Sequence, residues 1–167
     1  MKKLQLLLLF ASLTLLQSCW LFKDDDNVKP ERQSIYNPVV ISRAQLNSIS
    51  LQAAKLLNQR DKVFVNGTML YVNDHRDGFH IYDNSNAAQP QKINYLKALG
   101  SSTLSFKDNL LYINQATDLV IVKLDIPNNN VQVVKRLANI FPQIMSPDGF
   151  NHDVKADEVV IDWKLKN

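Results

Sequence analysis

Apolar and polar residues alternate with a period of two along much of the chain, which is the pattern of half-buried β-strands. Val63-Phe64-Val65 and Thr68 to Asn73 flank Asn66-Gly67, a strong hairpin signal because both residues tolerate positive φ. A third apolar run, Phe79 to Asp83, leads into a polar turn marked by Asp83-Asn84 and Pro90, and a fourth covers about Lys92–Leu96. The same order then returns 41 residues later. Lys107-Asp108-Asn109 holds the equivalent turn, Leu119 to Leu124 the third strand, Pro127 with three asparagines the next turn, and Val131–Arg136 the outer strand. On this offset Leu70 falls on Leu111, Tyr71 on Tyr112, Asn73 on Asn114 and Asp77 on Asp118, while Phe79-His80-Ile81 faces Val120-Ile121-Val122. Val159 to Trp163 reads as a terminal strand.

Periods of roughly 40–45 residues belong to propeller blades, four-stranded units that cannot bury both faces alone and therefore stack. The expectation is an all-β fold of antiparallel, four-stranded, blade-like repeats, with units at 59–99 and 100–139 and a partial third at 140–167. Residues 59–167 hold roughly 2.7 such periods, whereas a closed propeller needs at least about four blades, so the ring is expected to be incomplete. The chain is then either the front part of a longer protein or an open stack. In the second case its exposed sheet edge must be covered by Val39–Leu57 or by another chain, including self-association. In the entry segment, 39–58, Val39-Val40-Ile41 suits a short strand. Ser42 followed by Arg43-Ala44-Gln45 suits a helix start, with Leu46, Ile49, Ala53 and Leu56 at helical spacing. Ser48, Ser50 and the alternation of Ile49 with Leu51 would equally suit a strand.

The N-terminus breaks this pattern. Lys2 and Lys3 precede an apolar stretch from Leu4 to Leu16. That stretch is shorter than the roughly 20 residues a bilayer-crossing helix needs, and it reads as the helical core of a signal peptide spanning 1–18. Leu16-Gln17-Ser18-Cys19 resembles the bacterial lipoprotein box, which implies lipidation, with palmitate-type chains, at Cys19, the only cysteine. Residues 19–38, punctuated by Pro30 and Pro38, then form a lipidated tether. Lys23-Asp24-Asp25-Asp26 resembles the surface-export signal of lipoproteins in one group of Gram-negative bacteria, although a charge run on a tether would also simply stay solvated. Trp20, directly after the cysteine, lacks the usual inner-membrane retention feature. The implied address is the outer membrane, lipid-anchored through Cys19 and facing the cell surface, with its periplasmic face as the alternative.

Charge changes the picture little. The full chain of 167 residues carries +3, but removing 1–18 takes two lysines and no acids, leaving +1. A nearly neutral body without a basic stripe gives no electrostatic footprint for nucleic acid. One cysteine excludes an internal disulfide framework and Cys-rich metal sites.

Among candidate chemical groups, Asp74, His75 and Asp77 share one loop, which by offset faces Asp118 in the next unit. These four are the candidate ligand or ion loop, set against a plain turn-capping role for Asp77 and Asp118. His80 sits in an aliphatic strand slot and reads as packed, and His152 reads as a loop residue. No phosphate loop, nucleophile elbow or zinc-protease pattern occurs, so no catalytic residue, metal set or cofactor is assigned.

Asp118-Leu119-Val120-Ile121-Val122 resembles the Leu-Val-Ile-Val-Asp repeat that gives its name to a family of bacterial propeller-like proteins. Lys123 stands where that signature has Asp, whereas Gly78-Phe79-His80-Ile81-Tyr82-Asp83 keeps the Asp and places His80 at the second aliphatic position. Tyr36-Asn37-Pro38-Val39 and Asn139-Ile140-Phe141-Pro142 also look like lipoproteins of this family. The resemblance implies a propeller-type fold and no particular reaction. Two functions are therefore carried forward. One is a surface interaction or scaffold lipoprotein whose partner is an envelope protein or glycan. The other is a part of a larger propeller enzyme or solute-handling protein.

Overall fold

The computed structural model describes residues 32–167, and Ser34–Asn167 form one compact unit. The expected signal peptide, Cys19 and Lys23 to Asp26 lie outside the described residues.

The chain opens with β1 (Tyr36–Ser42), α1 (Arg43–Asn47) and β2 (Ser50–Ala53). Both readings of the entry segment hold, each over part of it. Ser42 caps α1 through a reciprocal capping box with Gln45, but the helix lasts only five residues before the chain turns into β2. Two meanders follow, β3 (Arg60–Asn66), β4 (Met69–Asp74), β5 (Gly78–Asp83) and β6 (Gln91–Lys97), then β7 (Ser101–Lys107), β8 (Leu110–Gln115), β9 (Asp118–Asp125) and β10 (Asn130–Leu137). The first meander lies within residues 59–99 and the second within residues 100–139. The second is a four-stranded sheet in the order β10-β9-β8-β7; the first gains β2 beside β6 and becomes five-stranded. The entry segment thus pairs with one sheet edge, as an open stack requires, with Leu51 opposite Leu96.

The turns depart from expectation. Asn66 pairs with Met69, so the loop residues are Gly67-Thr68 and only Gly67 takes positive φ, at 57°. That is the position at which a II′ turn calls for glycine. In the second unit Lys107 pairs with Leu110, and both Asp108 and Asn109 take positive φ, as a I′ turn demands. The repeat also slips by one residue. Asp74 pairs with Gly78 across three loop residues, whereas Gln115 pairs with Asp118 across two. Beyond this loop Gly78, not Asp77, matches Asp118, and Phe79, His80 and Ile81 match Leu119, Val120 and Ile121.

The two sheets pack face to face over one core. Tyr71, Phe79, Ile81 and Leu96 come from the first, and Leu104, Leu111, Ile113, Val120 and Val122 from the second. Each fully buried aliphatic or Phe side chain here contributes about 1.5–3 kcal/mol. Tyr71 meets Phe106 across the interface with ring centroids 5.0 Å apart. The sheets do not close into a ring among the described residues.

The partial third unit is not a blade. Residues 140–167 supply one strand, β11 (Glu158–Leu165), and it pairs antiparallel with β1, from Tyr36–Leu165 to Ser42–Glu158. Leu46, Ala116, Val159 and Ile161 bury a small second core there, against Val39 and Ile41. The folded body accordingly starts at Ser34, inside the segment expected to be tether. Asp148 accepts hydrogen bonds from Ser34 Oγ (2.9 Å) and from the Ile35 N–H (2.8 Å). Among the described residues no helix is long and apolar enough to cross a membrane.

Candidate functional site

The four candidate residues lie where the β4–β5 and β8–β9 loops come together at one end of the stacked sheets. Gly100 ties these loops: its N–H donates to Arg76 O, and its carbonyl accepts from the Ala116 N–H. Gly100 bonds both loops, but the four candidate side chains serve separate partners.

Asp74 ends β4 and is buried. Its carboxylate accepts the backbone N–H of Gln59 (2.7 Å) and Asn58 (3.4 Å), and it lies 3.2 Å from Nε2 of His80. His80 is fully buried, with its ring tilted on Tyr95 at 4.7 Å. Burial lowers the pKa of His80 and outweighs the opposing hydrogen bond to Asp74. Neutral His80 suits the geometry, because Nδ1 is buried without a partner and a proton there would have no acceptor.

Asp77 turns the other way. One oxygen, Oδ2, accepts from both Tyr95 Oη and Lys55 Nζ, each at 2.6 Å. Lys55 also sits 3.8 Å above the centre of the Tyr95 ring, a cation–π contact. Burial would raise the Asp77 pKa, but the bonds from Lys55 and Tyr95 prevail and lower it. Burial and the Asp77 carboxylate push the Tyr95 phenol far upward, so it stays protonated and donates. Gly78 is what lets these groups converge. A Cβ there would lie 2.2 Å from Leu96 O and 2.7 Å from Tyr95 Oη.

His75 points away from both aspartates of its loop. Its Nε2 is 3.3 Å from Asp162 of β11 and its Nδ1 3.7 Å from Asp61 of β3, so it links the terminal strand to the first sheet.

Asp118 is 1% exposed and belongs to a separate network. It receives Arg43 Nη1 (2.7 Å), Arg136 Nη1 (2.9 Å) and the Asn139 N–H (3.0 Å). Burial favours the acid form, but the Asn139 N–H and both arginines outweigh it and lower the pKa. Arg136 further donates to Gln115, whose Nε2 reaches the carbonyls of Leu46 and Leu99. Arg43 also donates to Asn139.

No group of three or more His, Cys, Asp or Glu among the described residues is arranged to hold a metal ion. Lys55, Tyr95, Arg43 and Arg136 are the partners that local sequence reading misses. For Tyr95 a signal existed, since strand register places it opposite His80. His152 stays exposed, edge-on to Trp163, whose indole N–H donates to Ile144 O at 3.1 Å. The acid–histidine pair is sealed from solvent, the tyrosine is a fixed donor, and the second aspartate is held by two arginines. These groups fasten loops and terminal segments onto the sheets; His75 with Asp162, and Lys55 with Asp77, stay partly exposed as ion-pair partners.

Comparison with family models, curated proteins and solved structures returned no match for this chain.

Proposed function

We propose that this chain is a lipid-anchored interaction or scaffold protein of the outer membrane, exposed at the cell surface, built from propeller-like repeats of the Leu-Val-Ile-Val-Asp type. The Leu16-Gln17-Ser18-Cys19 box carries the reading, followed by Lys23-Asp24-Asp25-Asp26. Lipid on Cys19 would hold the protein at the membrane, with each buried methylene contributing about 0.8 kcal/mol. The folded body would then offer its loops and sheet faces to an envelope protein or a glycan. The candidate polar groups support a binding role over a catalytic one, because they are spent on fastening.

Metabolic labelling with palmitate in a Gram-negative host tests the anchor. Label should enter the full chain and be lost in Cys19→Ser; label retained in that variant refutes the anchor. Protease treatment of intact cells tests the face. Cleavage is expected in the wild type and protection after Asp24, Asp25 and Asp26 are replaced by alanine. A wild type that survives while surface controls are cut would place the protein on the inner leaflet.

A further inference from the structure

The internal repeat supplies a template for what the outer faces of the two sheets can bind. Side chains alternate between faces along a strand. In β4, Tyr71 points into the interface and is 4% exposed; in β8 the matching Tyr112 points away from it, since its neighbours Leu111 and Ile113 are the buried ones. The outward face of the second sheet therefore carries Tyr112, Asn114, Leu119 and Ile121, all half-buried. These stand where the inward face of the first sheet has Tyr71, Asn73, Phe79 and Ile81.

The converse holds on the other side. The second sheet presents Leu104, Phe106, Leu111 and Ile113 to the first. Their counterparts Val63, Val65, Leu70 and Val72 lie on the outward face of the first sheet: Val63 and Val65 are 52% and 63% exposed and Leu70 is half-buried, whereas Val72, with His80 and Tyr95 beside it, is buried at the end of that face where residues 54–59 lie. The chain thus ends on one side in a counterpart of the surface that its own first sheet uses, and on the other, over the half that holds Val63, Val65 and Leu70, in a counterpart of the surface that its own second sheet uses.

We propose that a second copy of this chain stacks on it head to tail, with the outward face of its second sheet against the outward face of the first sheet. Over the half that holds Val63, Val65 and Leu70, the contact between copies follows the sheet-to-sheet contact within one copy, and Tyr112 of one copy takes the place on Val65 of the other that Tyr71 has on Phe106 within the chain. This contact uses sheet faces rather than sheet edges, where the unpaired backbone lies. It is heterologous, so it either closes into a ring or grows as a filament, and two copies already hold the four units of the smallest propeller. The proposal stands whether or not Cys19 is lipidated.

The test uses two differently tagged full-length chains expressed in one cell, one carrying Val65→Cys and the other Tyr112→Cys. Within a single chain these positions lie on opposite outer faces, so oxidation should yield a disulfide-linked pair bearing both tags. Leu165→Cys, equally exposed but on β11, should give none with either partner. A second arm measures self-association of the purified full chain by analytical ultracentrifugation. Val65→Asp should weaken it about a hundredfold or more, because an unpaired carboxylate would be buried in an apolar contact. Its far-UV circular dichroism should be unchanged, since Val65 is exposed. No mixed-tag product, equal crosslinking at Leu165→Cys, a crosslink only to a different protein, or undiminished association of a folded Val65→Asp would each overturn the proposal.

Discussion

Removing the carboxylate of Asp118 should cost more stability than any other single change of a charged residue in the body. The side chain is buried and holds two guanidiniums that are themselves only 23% and 17% exposed. Breaking a buried ion pair from one side costs about 3–5 kcal/mol, and solvent at the two arginines brings this toward the lower end. Leaving the Asn139 N–H without its acceptor adds to the loss on the order of 1 kcal/mol. Asp118→Ala should therefore lose about 3–4 kcal/mol, and Asp118→Asn, which keeps an acceptor oxygen, about half of that. For a domain of this size the alanine variant should melt about 10 °C lower. The assay is thermal and urea unfolding of the full chain beside Asp153→Ala, an exposed loop carboxylate. Sign matters as well. The native pKa of Asp118 lies below its unfolded value of 3.8, so its stabilisation is complete above that value and is lost as pH falls through the native pKa. Wild type should lose stability more steeply than the variant in that acid range. An Asp118→Ala chain that unfolds like Asp153→Ala, or that keeps the wild-type acid limb, refutes the account.

Two glycines separate crowding from backbone strain. Gly78→Ala drives a Cβ into the Leu96 carbonyl and should cost roughly 3 kcal/mol or more, whereas Gly67→Ala, with nothing nearby but positive φ, should cost about 1 kcal/mol in urea unfolding. Tyr95→Phe removes the short bond to Asp77 and should destabilise by about 1–2 kcal/mol; a neutral result would mean that Lys55 alone suffices for Asp77. His80 has a native pKa below its unfolded value of 6.5, so the unfolded chain binds the proton first and stability falls as pH drops below about 6.5. His80→Gln should flatten that part of the stability profile, by at most about 1.4 kcal/mol per pH unit, and an unchanged slope would show that His80 is already charged in the native state.

The eight strands of the two meanders were legible because each is set by short-range signals, alternation and a polar turn, and because one unit checks the other at a fixed offset. The same fixed offset misled at the β4–β5 loop. One extra residue there is invisible to a comparison that holds Tyr71 on Tyr112, and it made Asp77 look like the counterpart of Asp118. The apolar run Val159-Val160-Ile161 announced a strand, but its partner β1 lies at the other end of the body, and no local pattern specifies so distant a pairing. The candidate residues Asp74, His75, Asp77 and Asp118 were visible as polar groups in tight loops. Their roles were not, because those depend on Lys55, Arg43, Arg136 and Asp162, which arrive from elsewhere in the chain.

The pairing of β1 with β11 sets an order on assembly. Each meander is complete as soon as its own four strands exist, since those contacts are local and form quickly. The first strand of the body, however, must wait for the last. Until β11 is available, Tyr36–Ser42 has no strand partner and His75 lacks Asp162. Lys166 N–H then closes on Ile35 O, bringing both ends of the folded body together beside the segment that leads back to Cys19. A chain made from its N-terminus would carry two finished sheets beside an unpaired Tyr36–Ser42, and would clasp that strand only once Glu158–Leu165 had been made.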